Sequence, residues 1–164
     1  MPAREEIVAA NDRYSSAFTK GDLPMPPARR FAIVTCMDAR IDPAKAFGLE
    51  EGDAHVIRNA GGLATGDAIR SLIISHHLLG TEEVFVAAHT DCGMLTFTND
   101  ECRALIHDRT EASAEAIDFL PFPDVEQSVR RSVASVRESP FLQGIPVSGW
   151  IYDVATGTLS EVAA

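Results

Sequence analysis

A chain of 164 residues, 46% hydrophobic and 23% charged, has the composition of one globular domain and not of a disordered segment. Its formal net charge of −10 leaves no electrostatic footprint for nucleic acid or an anionic membrane surface. No apolar run is long enough to span a membrane, and the acidic start MPAREEIVAANDRY lacks the core of a secretory signal, so a cytoplasmic protein is expected.

Residues 3–18 are expected to be helical, with Ile7, Val8, Ala10, Tyr14, Ala17 and Phe18 as a partial apolar stripe that Gly21 ends. Pro24, Pro26 and Pro27 read as a rigid connector, dividing a helical arm over 1–27 from a domain over 28–164. Phe31-Ala32-Ile33-Val34-Thr35 suits a strand buried in a parallel sheet, and it stops at Cys36-Met37-Asp38-Ala39-Arg40. Asp42 and Pro43 fit the N-cap and first turn of a short helix. Ala54 to Arg58 is a second strand, ending at Asn59-Ala60-Gly61-Gly62. A helix over 67–79 turns Ile69, Leu72, Ile73 and Leu79 to a core and closes on Gly80. Glu83 to Ala88 is a third strand, running into His89-Thr90-Asp91-Cys92-Gly93. A helix around 99–108 precedes a loop with Pro121 and Pro123. Asp124 then caps a helix in which Val125, Val129, Val133 and Val136 recur at helical spacing. A strand over 147–154 and a short final one close the chain. The alternation predicts a single α/β domain with a mainly parallel central sheet flanked by helices. Function in such sheets collects beyond the carboxyl ends of the strands, where both polar clusters fall.

Three cysteines make no disulfide framework, and the odd number points to metal or thiol chemistry. His89 and Cys92 form an H-x-x-C pair leaving one strand, and Cys36 ends another. If those strands are neighbours, their ends lie about 5 Å apart and the three side chains meet at one ion. Three protein ligands leave a fourth tetrahedral position for water, the pattern of a catalytic zinc site. Gly93 is expected to allow a tight turn against the metal. Asp38 and Arg40 share a side, so an arginine fork can orient a carboxylate beside that water or release it onto the metal. Singly, each cysteine also reads as a buried packing residue, His89 as a satisfied polar residue, and Asp38–Arg40 as a structural ion pair. A closed structural site with Cys102 as fourth ligand is a further alternative. Cys102 lies ten residues past Cys92 inside a predicted helix, unlike the short spacings of such sites, and reads as packing. The absence of C-x-x-C disfavours thiol redox chemistry.

Cys36-Met37-Asp38-Ala39-Arg40 resembles the C-x-D-x-R motif of β-carbonic anhydrases, and His89-Thr90-Asp91-Cys92-Gly93 resembles their H-x-x-C-G. Arg58-Asn59-Ala60-Gly61-Gly62 is similar to the family's R-N-A-G segment, in the same order, and the likeness to the short members spans 31–157. The resemblance implies Zn2+ on Cys36, His89 and Cys92, with Asp38 and Arg40 as a catalytic dyad. It also implies that Asp38 can become the fourth ligand in a closed form, and that Gly61 and Gly62 bring backbone close to the substrate pocket. Reversible CO2 hydration to bicarbonate by zinc-bound hydroxide is the implied activity, with rates rising toward mildly alkaline pH. Hydrolysis of carbonyl sulfide or carbon disulfide to hydrogen sulfide and CO2 is the alternative on the same scaffold, and a non-catalytic zinc- or bicarbonate-binding module a third. The family further implies a homodimer or tetramer of dimers, the N-terminal helix lying over the partner. His55, His76, His77 and His107 are conceivable proton shuttles, none of them assigned. No equivalents are identified for the aromatic and amide side chains that line the channel of longer members.

Overall fold

The computed structural model describes residues 2–163, so the expected arm boundary at Met1 and domain boundary at Ala164 lie outside the described residues. Five strands form one sheet in the order β2-β1-β3-β4-β5: β1 (Phe31–Cys36), β2 (Ala54–Asn59), β3 (Glu83–His89), β4 (Val147–Tyr152) and β5 (Leu159–Val162). The first four run parallel, and β5 turns back antiparallel on β4, as the expected mainly parallel sheet requires. Among the described residues five α-helices accompany them: α1 (Ala3–Ser16), α2 (Pro43–Phe47), α3 (Gly66–Leu79), α4 (Asn99–Thr110) and α5 (Val125–Arg137).

Strand alternation sends Ala32, Val34, Val84, Val86, Ala88 and Val147 to one face of the sheet, where they meet α3 and α5. Helix α3 delivers Ala68 and Leu72, and α5 the stripe Val129, Val133, Val136. The expected Leu79 contributes less, standing only half-buried at the helix end before Gly80 closes it at φ 74. Helix α5 lies so close to β4 that a Cβ built on Gly149 would come within 2.5 Å of Val129 Cγ1 and 3.1 Å of Val133 Cγ2. Gly149→Ala is therefore expected to lower stability by about 1–3 kcal/mol through overpacking. A denaturant titration with an unchanged midpoint would contradict that contact.

The two ends of the chain depart from expectation. Helix α1 stops at Ser16, short of Phe18 and Gly21, where Ala17 N and Phe18 N donate to the i−3 carbonyls of Tyr14 and Ser15 instead of continuing the i−4 ladder. No residue of α1 is buried, and Ile7 and Val8 are mostly exposed. Strand β4 ends at Tyr152 and not Val154, since the Asp153 carboxylate accepts from Ala155 N and Thr156 N and starts the hairpin to β5. Among the described residues no helix is long and apolar enough to cross a membrane.

Candidate metal centre

Thr35 pairs with Ala87 across β1 and β3, which puts Cys36 and His89 at adjacent carboxyl ends. The loop after β3 then returns Cys92 to the same point. One ligand atom from each of Cys36, His89 and Cys92 lies within 4.8 Å of the others, and all three residues are buried. These are the three residues expected from the sequence to come together as ligands. Cys102 stands half-buried on α4 and does not join them.

The donor set fits a metal ion on its own chemistry. His89 Nδ1 lies 2.8 Å from the Thr90 carbonyl, which only accepts, so Nδ1 carries the proton and Nε2 the lone pair. That Nε2 is buried with no hydrogen-bond partner, an orphaned acceptor facing two sulfurs. A hydrogen bond from Cys92 draws the Cys36 thiol well below its ordinary value, helped by the backbone N–H groups of Asp38 and Gly61. Cys92 is pushed up by giving that bond and by burial. Two sulfurs and one imidazole nitrogen with a corner left open suit a tetrahedral borderline-soft divalent cation.

Asp38 stands beside the cage. Its Oδ2 lies 3.8 Å from His89 Nε2, while Arg40 holds the carboxylate through Nε to Oδ1 at 2.9 Å and Nη2 to Oδ2 at 2.8 Å. This fork keeps Asp38 ionised well below the usual carboxylate range. The chain turns here instead of staying extended: Ile41 N donates to Asp38 O, and Arg40 N to Asp38 Oδ1. Arg58 reaches in from β2, donating Nε to Cys36 O at 3.0 Å and Nη2 to Asp38 O at 2.7 Å.

Gly61 and Gly62 both have positive φ, 85 and 66. A Cβ on Gly62 would stand 2.9 Å from Cys36 N, and one on Gly61 2.9 Å from the Phe122 ring. The Asn59 side chain clamps this turn by bonding both Leu63 N and Leu63 O. Gly93 corrects the expectation for it: it has no positive φ and open space where a Cβ would go. The left-handed residue of that loop is Asp91, at φ 53.

Sequence reasoning missed the apolar wall. Ile41, Met94 and Phe122 pack around the two cysteines, with Leu63, Phe97, Val125 and Tyr152 against them. Phe122 comes from the loop before α5, and its Pro-flanked aromatic was the available signal. Of the four histidines considered as shuttles, His55 bonds Ser75, His76 the Thr81 carbonyl and His77 the Phe141 carbonyl, and His107 lies on α4.

Fold and site together define an α/β protein with a buried Cys-His-Cys metal cage at the carboxyl ends of neighbouring parallel strands. Residues 31–159 match the family model described as carbonic anhydrase. The chain is 47% identical to β-carbonic anhydrase 1 of Mycobacterium tuberculosis over 99% of each chain. It superposes on the crystal structure of a carbonic anhydrase from Streptococcus mutans with a TM-score of 0.95, at 47% identity and 99% coverage of both. A carbon disulfide hydrolase of Acidithiobacillus thiooxidans is 35% identical over 97% of this chain and 90% of its own. The chain belongs to the β-carbonic anhydrase family.

Proposed function

We propose that this protein catalyses the reversible hydration of CO2 to bicarbonate, with Zn2+ held by Cys36, His89 and Cys92. The observation that carries this is the buried, unpartnered Nε2 of His89 facing two cysteine sulfurs beside an arginine-held Asp38. Zinc in such a site lowers the pKa of water enough to supply a nucleophile near neutral pH. Asp38 would accept a hydrogen bond from the attacking water and orient it, acting as the catalytic carboxylate. Arg40 keeps Asp38 turned to this task and off the metal. The Gly61–Gly62 turn brings backbone to the edge of the pocket, and Ile41, Met94 and Phe122 supply an apolar wall suited to a neutral linear substrate. Stopped-flow CO2 hydration on protein of verified zinc content tests this, run beside sulfide release from carbonyl sulfide and carbon disulfide. Fast hydration with slow sulfide release supports it. The reverse result moves the substrate to the sulfur analogues, a second reading favoured by the 35% identity to a carbon disulfide hydrolase.

We also propose that residues 1–27 form an arm, that 28–164 form the zinc domain, and that the protein is a homodimer or tetramer of dimers in the cytoplasm. A reducing compartment keeps both cage thiols available to metal. The exposed Ile7, Val8, Tyr14 and Phe18 need a surface to cover. The sheet face away from α3 and α5 offers a cavity of about 470 Å³ lined by Phe31, Ile33, Phe85 and Trp150. Deleting residues 1–20 is expected to lower the sedimentation coefficient toward that of a single chain; an unchanged profile would refute the arm.

A further inference from the structure

Asp91 makes contacts that metal ligation does not call for. Its carboxylate accepts from Arg40 Nη1 at 2.6 Å, and its carbonyl accepts from Arg40 Nη2 at 2.8 Å. Asp38 takes the other edge of the same guanidinium, through Nε and Nη2. The planar group is thus gripped along two edges by carboxylates from different loops, one after β1 and one after β3. Swinging off Asp38 requires breaking both grips. The Arg40 side chain is 46% exposed, so packing alone does not hold it, and a long side chain tied at one edge retains much rotamer freedom. Asp91 also occupies a left-handed conformation, φ 53, which Asp, Asn and Gly adopt more readily than other residues.

We propose that Asp91 is a positioning residue: it pins Arg40 from the edge opposite Asp38 and thereby sets how firmly Asp38 is kept from the open corner of the metal cage. The inference rests on the roles proposed above for Asp38 and Arg40. It gives the loop that carries His89 and Cys92 a second task, since the segment that supplies ligands also locks the carboxylate beside them. Asp38 and Asp91 do not compete for one site on the fork, because Nη1 serves Asp91 alone and Nε serves Asp38 alone.

Asp91→Gly tests this, because glycine suits the left-handed φ and keeps the carbonyl acceptor while removing the carboxylate. With zinc content equal to wild type, kcat for CO2 hydration should fall about two- to five-fold with KM unchanged, the range of one exposed ion pair. Hydrogen exchange at the Arg40 Nε–H, followed by 15N NMR on the zinc-loaded protein, should quicken. Asp91→Asn, which retains an acceptor oxygen without the charge, should fall between. Wild-type kcat and exchange in Asp91→Gly overturn the proposal, as does a lower kcat with unchanged Arg40 exchange. Loss of zinc from both variants overturns it too, since Asp91 would then serve the ligand loop; if only the glycine variant loses zinc, Arg40 exchange in Asp91→Asn decides. An Asp38→Asn control separates the two levels. Wild-type turnover there breaks the reading of the Asp38–Arg40 pair itself, whereas an inactive Asp38→Asn beside an unaltered Asp91→Gly breaks only the role of Asp91.

Discussion

Cys36→Ser is expected to abolish stoichiometric zinc and, with it, CO2 hydration. The loss in metal affinity should exceed the roughly 10–100-fold that removal of an outer partner of a metal ligand costs. At this position the fold has arranged for a negative sulfur: the Cys92 thiol and the backbone N–H groups of Asp38 and Gly61 all donate toward Cys36. A serine hydroxyl stays neutral there and is a harder donor, so the charge and softness that suit zinc are both lost. His89→Ala acts differently. It removes the nitrogen donor and leaves a cavity where the side chain is fully buried, so a stability cost of the core-truncation kind adds to the loss of metal. Elemental zinc per chain after dialysis, read with the melting temperature, distinguishes the cases. Wild-type zinc in Cys36→Ser would remove Cys36 from the ligand set. Chelator treatment should lower the melting temperature of the wild type but leave Cys36→Ser unmoved, because only a bound ligand adds stability by mass action.

The clustering of Cys36, His89 and Cys92 was legible in the sequence because it follows from local pattern. Cys36 and His89 each end an apolar β-prone run, and parallel strands put such ends side by side. Asp38 and Arg40 were legible for the same reason, lying two and four residues past Cys36. Helix α5 announced itself through its valine spacing and the Asp124 cap, and both took their expected places. What the sequence hid depends on distant pairs. Phe122 reaches the metal centre from a loop far from any motif, and only the folded chain shows it packed against Gly61. Gly93 and Asp91 show the limit of residue-type rules within a motif: the glycine sits in ordinary backbone, while the aspartate two residues before it takes the left-handed turn. The helical reading of α1 ran too far because apolar residues at 17 and 18 continue the pattern, whereas the backbone tightens there to i−3 bonds.

Asp38→Asn is expected to keep zinc and lose about a hundredfold or more of kcat, the lower reach of a positioned proton acceptor. The side chain is no member of the Cys-His-Cys cage, standing 3.8 Å from His89 Nε2, so the metal has no need of it. The amide keeps the shape, but it carries no charge and offers a single acceptor oxygen where the carboxylate offers two. Arg40 would then take that oxygen and leave an N–H donor turned toward the water that Asp38 should accept from. The pH dependence sharpens the test. Because Arg40 depresses the pKa of Asp38, the charged pair persists as pH falls through the ordinary carboxylate range near 4 and is lost only below it. An acidic limb near neutrality in the wild-type rate profile therefore does not belong to Asp38. The variant should accordingly show a lower plateau with that limb in the same place. Stopped-flow profiles on zinc-verified protein read both quantities. A displaced limb would mean that Asp38 titrates in the working range, and an unchanged plateau would remove it from the mechanism.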